Sequence, residues 1–258
     1  MITRALRSTL LFVCAIALLT ATNGSRADAQ SKPGASKKIL YLTHSAGFKH
    51  AVLPHSEQVF PELGTKAGWF SVDVTQDVAK LNAADLKQYD AVAFYTTGEL
   101  PITDQQKADL QAFVEGGKGF IGIHSATDTF YKWPWYGTML GGYFDGHPWT
   151  QKVTITVEDQ KSPLTKHLGA SFEIDDEIYQ FKEWSRGNVH VLLKLDTTSV
   201  DMTKKGIKRT DNDFANAWTR TQGKGRVFYT ALGHRPEVWD DVRFQQHLVE
   251  GVRWVTSR

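Results

Sequence analysis

The chain has 258 residues, a formal net charge of +2 and one cysteine. So even a balance of charge gives no electrostatic case for binding nucleic acid or an anionic membrane surface. The length fits one large domain, and no linker-like stretch divides it internally.

Residues 1–29 have the layout of a secretory signal peptide. Arg4 and Arg7 precede an apolar run at residues 10–19, and Ala-Asp-Ala at residues 27–29 forms a cleavage site. Because that run is about half of the roughly 20 apolar residues that span a bilayer, a signal peptide is favoured over a membrane helix. We therefore expect cleavage after this segment and a secreted or periplasmic protein that makes no membrane contact afterwards.

Cleavage there would remove the only cysteine, Cys14, with three arginines and one aspartate, so the formal charge would fall from +2 to zero. A mature chain without a thiol has no disulfide, no cysteine nucleophile and no thiolate metal ligand. Residues 30–37 are polar and indicate a flexible lead-in. Residues 38–258 are then the folded domain.

The first half of the domain alternates apolar strands with helices. Strands are expected at residues 38–43, 69–75, 90–97 and 119–124. Helices are expected at residues 55–67 and after a capping box formed by Thr103 and Gln106. Because such alternation builds right-handed βαβ units, it predicts an α/β fold with a three-layer, doubly wound, mostly parallel sheet.

The second half changes to alternating polar and apolar residues, typical of antiparallel strands. These stretches lie at residues 152–158, 173–181, 189–196, 214–220 and 226–231. We expect them as antiparallel additions to one edge of the sheet. A last amphipathic helix is predicted over residues 240–255, where apolar residues recur at helical spacing.

Ligands bind parallel sheets beyond the carboxyl ends of the strands, so the loops that begin at His44, Gly98 and His124 are candidate site loops. Residues 122–126, Gly-Ile-His-Ser-Ala, have the spacing of a nucleophile elbow with histidine in the nucleophile position. Ser125 is one place off that position, which argues against a serine hydrolase. The alternative, that His124 merely ends the strand, leaves an imidazole in a cleft without a partner, which is costly.

Three segments carry a resemblance to a known family: residues 122–149, Asp-Glu-Ile-Tyr at 176–179, and residues 223–234, which end in Leu-Gly-His. Together they resemble the ThuA-like (trehalose-utilisation) family over residues 38–258. The resemblance implies a class I glutamine amidotransferase-like fold without the catalytic cysteine, and a role in using disaccharides or their 3-keto derivatives. In that fold His234, whose Gly-His-Arg-Pro-Glu segment is similar to the amidotransferase His-Pro-Glu, would lie opposite His124.

We expect one cleft, which binds a small-molecule carbohydrate, to be formed by His124, Asp128, His147, Glu177 and His234. The catalytic candidates, which would transfer protons, are His124, Asp128 and Glu177. The candidates for substrate binding are His50, Gly98, Glu99, Tyr136, His147, Trp149 and His234. A divalent metal, zinc or manganese, is a possible cofactor with His124, His147 and His234 as ligands, because neutral imidazoles with a carboxylate form such sites. The histidines could equally hydrogen-bond sugar hydroxyls alone.

Two functions stay open from the sequence: an enzyme acting on a disaccharide, keto-sugar or related glycoside, and a non-catalytic sugar-binding module that kept the pocket. Glutaminase activity is not expected, because its thioester chemistry needs a thiol. The remaining histidines of helices and outer strands are expected at the surface: His55, His167, His190 and His247.

Overall fold

The structure, a computed structural model, describes residues 1–2 and 36–257. The expected cleavage site and most of the expected lead-in at residues 30–37 lie outside the described residues. The first strand begins at Lys37, one position before the expected start of the domain. In the part of the chain that is described, no helix has the length and apolar character needed to cross a membrane.

Four parallel strands form the first half of the central sheet, where the apolar runs predict them. They are β1 (Lys37–Leu42), β2 (Phe70–Thr75), β3 (Ala91–Phe94) and β4 (Gly119–Ile123). β1 pairs with β2 and β3, and β3 pairs with β4, all in parallel. Every residue of β3 and β4 is buried, which explains why these strands show no alternation in sequence.

The connecting helices are α1 (Leu53–Ala67), α2 (Ala83–Leu86) and α3 (Asp104–Glu115). α1 ends at Gly68, whose φ of 74° lies in the left-handed region that glycine tolerates. α3 begins with the predicted capping box, in which Thr103 and Gln106 each accept a hydrogen bond from the other's backbone N–H. The single turn of α2 is too short to show helical periodicity, and the sequence does not predict it.

Seven strands follow: β5 (Tyr143–Phe144), β6 (Trp149–Val157), β7 (Ser171–Ile178), β8 (Phe181–Lys182), β9 (His190–Leu195), β10 (Ala215–Gln222) and β11 (Gly225–Thr230). The central sheet has the order β2-β1-β3-β4-β11-β10-β9-β6-β7, and β5 pairs separately with β8. β11 lies parallel to β4, whereas β10, β9, β6 and β7 continue antiparallel. The antiparallel extension of one edge is confirmed for β6, β7, β9 and β10. Residues 226–231, also expected among the antiparallel additions, fall in β11, which lies parallel to β4 and antiparallel to β10.

Three further helices complete the layers: α4 (Pro134–Leu140), α5 (Pro236–Asp240) and α6 (Val242–Thr256). Alternate residues of each strand point to opposite faces of the sheet. Ile39 and Tyr41 of β1 therefore belong to a cluster with residues of α1 and α6, whereas Leu40 and Leu42 belong to one with residues of α3 and α4. Helices thus cover both faces, and the predicted three-layer α/β fold is confirmed.

One surface prediction is wrong, because His247 of α6 is only 1% exposed. Its ring packs edge-on against Phe228, with centroids 4.9 Å apart, and its Nδ1 donates to the Leu164 carbonyl at 2.8 Å. His247 follows Phe244 by three positions, so the apolar face of the helix carries it toward the sheet.

Candidate functional site

The turn after β4 has the geometry of a nucleophile elbow. β4 ends at Ile123, and His124 begins a 3₁₀ turn with a φ of 46°. A non-glycine residue in this region is strained by about 1–3 kcal/mol. Gly122 provides the space that the turn needs, because a Cβ there would lie 2.8 Å from Leu140 Cδ1. The turn holds the fully buried His124 ring at the carboxyl end of the sheet.

The hydrogen bonds of His124 fix which ring nitrogen carries a proton. Nδ1 lies 2.6 Å from the Ala231 carbonyl oxygen, which only accepts, so the hydrogen is assigned to Nδ1. In the neutral ring Nε2 then has a lone pair, and the Tyr179 hydroxyl donates to it from 2.9 Å. A neutral imidazole binds a metal ion through the nitrogen that carries no proton, which in His124 is Nε2.

Glu177 of β7 and His234, which follows β11, close around that nitrogen. His124 Nε2 lies 3.2 Å from His234 Nδ1 and 3.5 Å from Glu177 Oε2, and the last two atoms are 3.3 Å apart. The three atoms form a nearly equilateral triangle. Ligands about 2.0–2.1 Å from a tetrahedral zinc ion lie about 3.4 Å from one another, so the triangle has the size of one face of such a site.

A third imidazole, His50, lies beside this triangle on the loop between β1 and α1. Its ring centroid is 5.0 Å from that of His124 and 5.3 Å from that of His234. One ligand atom from each of His50, His124, Glu177 and His234 falls within 4.8 Å of the others. His50 is 5% exposed, and its Nδ1 has no hydrogen-bond partner among the described residues. These four residues, termed the His/Glu cluster, could together hold a metal ion.

The cluster holds one anion among neutral and basic rings. Burial and the neighbouring imidazoles lower the pKa of His50 to about 3. Burial would raise the pKa of Glu177, but the contacts of its carboxylate with the His124 and His234 rings outweigh it and hold that pKa well below its usual range. The hydrogen bond to Glu177 also raises the pKa of His234, against the effect of burial. A carboxylate facing three imidazoles is a donor set that zinc accepts.

The cluster forms the floor of a cavity of about 420 Å³ that is lined by Phe48, His50, Asp128, Phe144, His147, Glu177, Tyr179 and His234. Asp128 Oδ1 accepts a hydrogen bond from the Tyr131 hydroxyl at 2.5 Å, and burial raises the pKa of this carboxyl. His147 is half-exposed at the mouth, with its Nδ1 3.1 Å from Glu177 Oε1. A polar floor between aromatic walls is typical of small-molecule sites.

Most of the predicted site residues meet here, since five of them line the cavity and His124 lies directly beneath it. The predicted metal ligands need a correction. His147 contacts the outer oxygen of Glu177 and is not part of the cluster, whereas His50 and Glu177 are. These four candidate ligands come from four separate segments, so no local spacing could have revealed the set.

Two residues that the sequence predicts as substrate-binding lie in the core instead. Tyr136 and Trp149 are both fully buried. The Tyr136 hydroxyl donates to the Ala126 carbonyl at 2.8 Å, and Trp149 Nε1 donates to the Asp201 carbonyl at 3.1 Å. Their aromatic rings pack against other core residues, and neither side chain lines the cavity.

Gly98 and Glu99, also predicted to bind substrate, support the cavity without lining it. The Gly98 N–H donates to the Asp128 carbonyl at 2.7 Å, and Glu99 Oε1 accepts from the Lys132 N–H at 3.0 Å. Gly98 has a φ of 77°, and a Cβ there would lie 2.7 Å from Gly47 N. The position therefore requires glycine, and it holds the backbone of Asp128 in place.

Phe48, Tyr179 and Phe144 complete the lining, and the sequence does not single out Tyr179 or Phe144 as a site residue. Tyr179 follows Glu177 by two positions, which puts both on the same face of an extended segment, so strand periodicity could have found it. Phe144 lies in the ribbon of β5 and β8, whose two-residue strands are too short to show a pattern. Glu237, the acid of the Gly-His-Arg-Pro-Glu segment, is exposed in α5 and does not line the cavity.

Comparison with protein families decides the affiliation. The family ThuA, described as trehalose utilisation, matches residues 38–255. The chain belongs to the ThuA family. This membership indicates a role in carbohydrate utilisation. No match was found among curated proteins.

Solved structures agree with the family. A ThuA-like protein of Bacteroides uniformis is 29% identical, with a TM-score of 0.71, and the match covers 88% of this chain and 94% of that one. A ThuA-like protein of Parabacteroides merdae shares the fold at 18% identity and a TM-score of 0.68, with 86% and 90% covered. A β-galactosidase of Bacillus circulans shares the fold at 12% identity and a TM-score of 0.53, over 84% of this chain and 30% of the enzyme. The expected class I glutamine amidotransferase-like fold is thereby confirmed.

Proposed function

We propose that this ThuA protein is an exported enzyme of carbohydrate utilisation that acts on a disaccharide, keto-sugar or related glycoside with the help of a divalent metal ion, zinc or manganese. The observation that carries the proposal is the triangle of His124, Glu177 and His234 atoms, with edges of 3.2, 3.3 and 3.5 Å. Three imidazoles around one buried carboxylate exceed what a single acid–base pair requires.

Hydrogen bonds alone could produce similar distances within the triangle, so the argument for an ion depends on the whole cluster. His124 Nε2 presents a lone pair, Glu177 is an anion, and His50 has a buried nitrogen without a partner. Buried polar groups are usually satisfied, and convergent lone pairs repel one another unless a proton or a cation lies between them. A bound cation would satisfy all of these groups at once.

When bound, such an ion supplies a Lewis acid that can polarise a substrate oxygen or activate a water molecule. The chain's own groups have separate tasks around it. Asp128 has a pKa raised by burial, so it can carry a proton to or from the substrate, and the Tyr131 hydroxyl holds its orientation. His147 contacts Glu177 Oε1 at 3.1 Å, which keeps Oε2 turned toward the imidazoles.

Aromatic walls support a carbohydrate as the substrate. The Phe48 ring lies 4.9 Å from the His50 ring, and the Phe144 ring lies 4.4 Å from the Tyr179 ring. Phe48 is 65% exposed at the cavity, an unusual position for so large an apolar side chain. Such rings offer flat apolar faces to the C–H side of a sugar, while the cluster and Asp128 meet its hydroxyls.

The test combines elemental analysis with turnover. Protein purified without a histidine tag is analysed before and after chelation, and activity is measured on disaccharides and keto-sugars with and without zinc or manganese. We expect one ion per chain that His124→Ala loses and His190→Ala keeps, since His190 is an exposed histidine that pairs with Asp159. A metal-free protein that regains neither ion and keeps the same melting curve would contradict metal binding.

A non-catalytic sugar-binding module is the second candidate, and sugar binding without turnover on the panel would favour it. Asp128, which lines the same cavity, favours an enzyme, because binding alone does not need a carboxyl whose pKa burial raises. Export depends on the layout of residues 1–29 and is tested by intact mass. Protein recovered from the periplasm or medium should begin at Gln30, and retention of the leader would contradict export by cleavage.

A further inference from the structure

Asp176, the neighbour of Glu177 in β7, is a buried carboxylate to which the proposed chemistry gives no task. It has no exposed surface. Its Oδ2 accepts the Gly233 N–H at 2.7 Å, and its Oδ1 accepts the His234 N–H at 3.1 Å. Burying a carboxylate costs free energy unless it is hydrogen-bonded. The two backbone N–H groups that Asp176 binds therefore indicate its role.

The same short segment is held from its other side. The Gly233 carbonyl accepts hydrogen bonds from the Tyr95 hydroxyl at 3.0 Å and from Trp239 Nε1 at 2.9 Å. Gly233 has a φ of 122°, a conformation that other residues rarely adopt. Both polar groups of Gly233 are therefore fixed immediately before His234, whose ring must reach Glu177.

We infer that Asp176 is a positioning residue. Its two hydrogen bonds to the backbone of Gly233 and His234 hold His234 Nδ1 3.3 Å from Glu177 Oε2, a separation at which both atoms can bind one metal ion. β7 thereby controls His234 twice, through its backbone by Asp176 and through its ring by Glu177. Asparagine cannot replace Asp176, because an amide has one acceptor oxygen and its NH₂ group would face a backbone N–H that also donates. The inference rests on the proposed metal-binding function.

The experiment compares Asp176→Asn with Asp175→Asn. Asp175 is exposed and contacts the same segment through Arg235 at 3.4 Å, which makes it a matched control. Zinc affinity is measured by competition with a chromophoric chelator, and ligand geometry by the visible absorption of the cobalt(II)-substituted protein. Groups that orient metal ligands typically contribute about 10–100-fold in affinity, and we expect that loss and an altered cobalt spectrum in Asp176→Asn. Asp175→Asn should stay within about twofold of wild type.

A folded Asp176→Asn protein with unchanged zinc affinity and cobalt spectrum would overturn the inference. If this variant does not fold, Tyr95→Phe takes its place, because it removes only the hydroxyl that holds the Gly233 carbonyl. It should also weaken zinc binding, and unchanged affinity in it would count equally against the inference.

If wild type binds no metal, the proposed function fails separately. The inference is then decided by the imidazole NMR resonances of His234, which should shift in Asp176→Asn and not in Asp175→Asn; unshifted resonances would overturn it.

Discussion

His50 and His247 are almost equally buried, at 5% and 1% exposed, and burial is the main cause that lowers both of their pKa values, to about 3 and about 4. Their surroundings differ. His50 lies against two other imidazoles and Glu177 at the cavity floor, whereas His247 donates to Leu164 and packs against Phe228. Burial and a lowered pKa therefore do not identify a functional histidine; the convergence of other ligand atoms does.

The largest effect should come from removing the negative charge of Glu177, which distinguishes the surroundings of His50 from those of His247. Glu177→Gln would turn an NH₂ group or a neutral oxygen toward the imidazoles. It should weaken metal binding by more than the roughly 100-fold reached by groups that only orient ligands. Affinity is measured by chelator competition.

Glu173→Gln is the matched control, because Glu173 is an exposed carboxylate of the same strand that pairs with Lys152. It should leave metal affinity unchanged. Equal affinities for the two variants would show that the His/Glu cluster is another core environment, and the comparison between His50 and His247 would collapse.

The burial of His247 should make the free energy of unfolding depend on pH in acid. The neutral form of His247 is favoured in the fold, with a pKa of about 4 against about 6.5 unfolded. Its contribution is fully present above about pH 6.5 and is lost as the pH falls through about 4, because only the unfolded chain takes up the proton between these values. At about 1.4 kcal/mol for each pH unit, the loss approaches about 3 kcal/mol.

His247→Gln keeps a donor for the Leu164 carbonyl but does not titrate, so its unfolding free energy should fall less steeply between about pH 6.5 and 4. Urea unfolding of the metal-free proteins at several pH values measures the slopes. The titration of His50 is common to both proteins and drops out of the difference. Identical slopes would contradict the assignment, and metal affinity should not change.

Which parts of this molecule the sequence predicts follows from how local each signal is. β3 and β4 appear as apolar runs because both of their faces are covered, and the Thr103–Gln106 capping box lies within four residues. The strands β1–β4 and the helices α1, α3 and α6 could therefore be predicted, whereas α2, β5 and β8 are too short to show a pattern. Tyr136 and Trp149 show the limit, since an aromatic residue near a site motif can face the cavity or the core, and the sequence does not say which.

The site is harder to predict because its members come from distant segments. His124 and His234 follow strands whose ends meet, so their proximity could be expected. His50 lies well inside a loop, and only the folded chain shows that its ring reaches the other two. His247 carried a usable signal, since it shares the helix face of Phe244 and Leu248.

The exposed ring of Phe48 at the cavity should contribute to sugar binding. Phe48→Ala should weaken sugar binding about 2–10-fold, the effect expected of one aromatic contact, and leave metal affinity unchanged. Val242→Ala removes another exposed apolar side chain, 74% exposed in α6, and should change neither property. Isothermal titration with the best substrate of the panel measures both variants. Equal sugar affinity in Phe48→Ala and wild type would remove Phe48 from the binding surface.

The smallest effect is expected for Tyr179→Phe, which should increase metal affinity where the other changes at the cluster decrease it. The Tyr179 hydroxyl donates to His124 Nε2 at 2.9 Å, and no other hydrogen-bond partner of that hydroxyl occurs among the described residues. An ion at Nε2 has to displace this hydrogen bond and leaves a buried hydroxyl without an acceptor. Tyr179→Phe removes that competition, so metal binding should become tighter, by about 2–10-fold for a hydrogen bond of about 0.5–1.5 kcal/mol. Chelator competition on the two proteins measures the change. Weaker binding in Tyr179→Phe would mean that the hydroxyl finds a new acceptor when the ion binds, and that Tyr179 supports the bound state instead of competing with it.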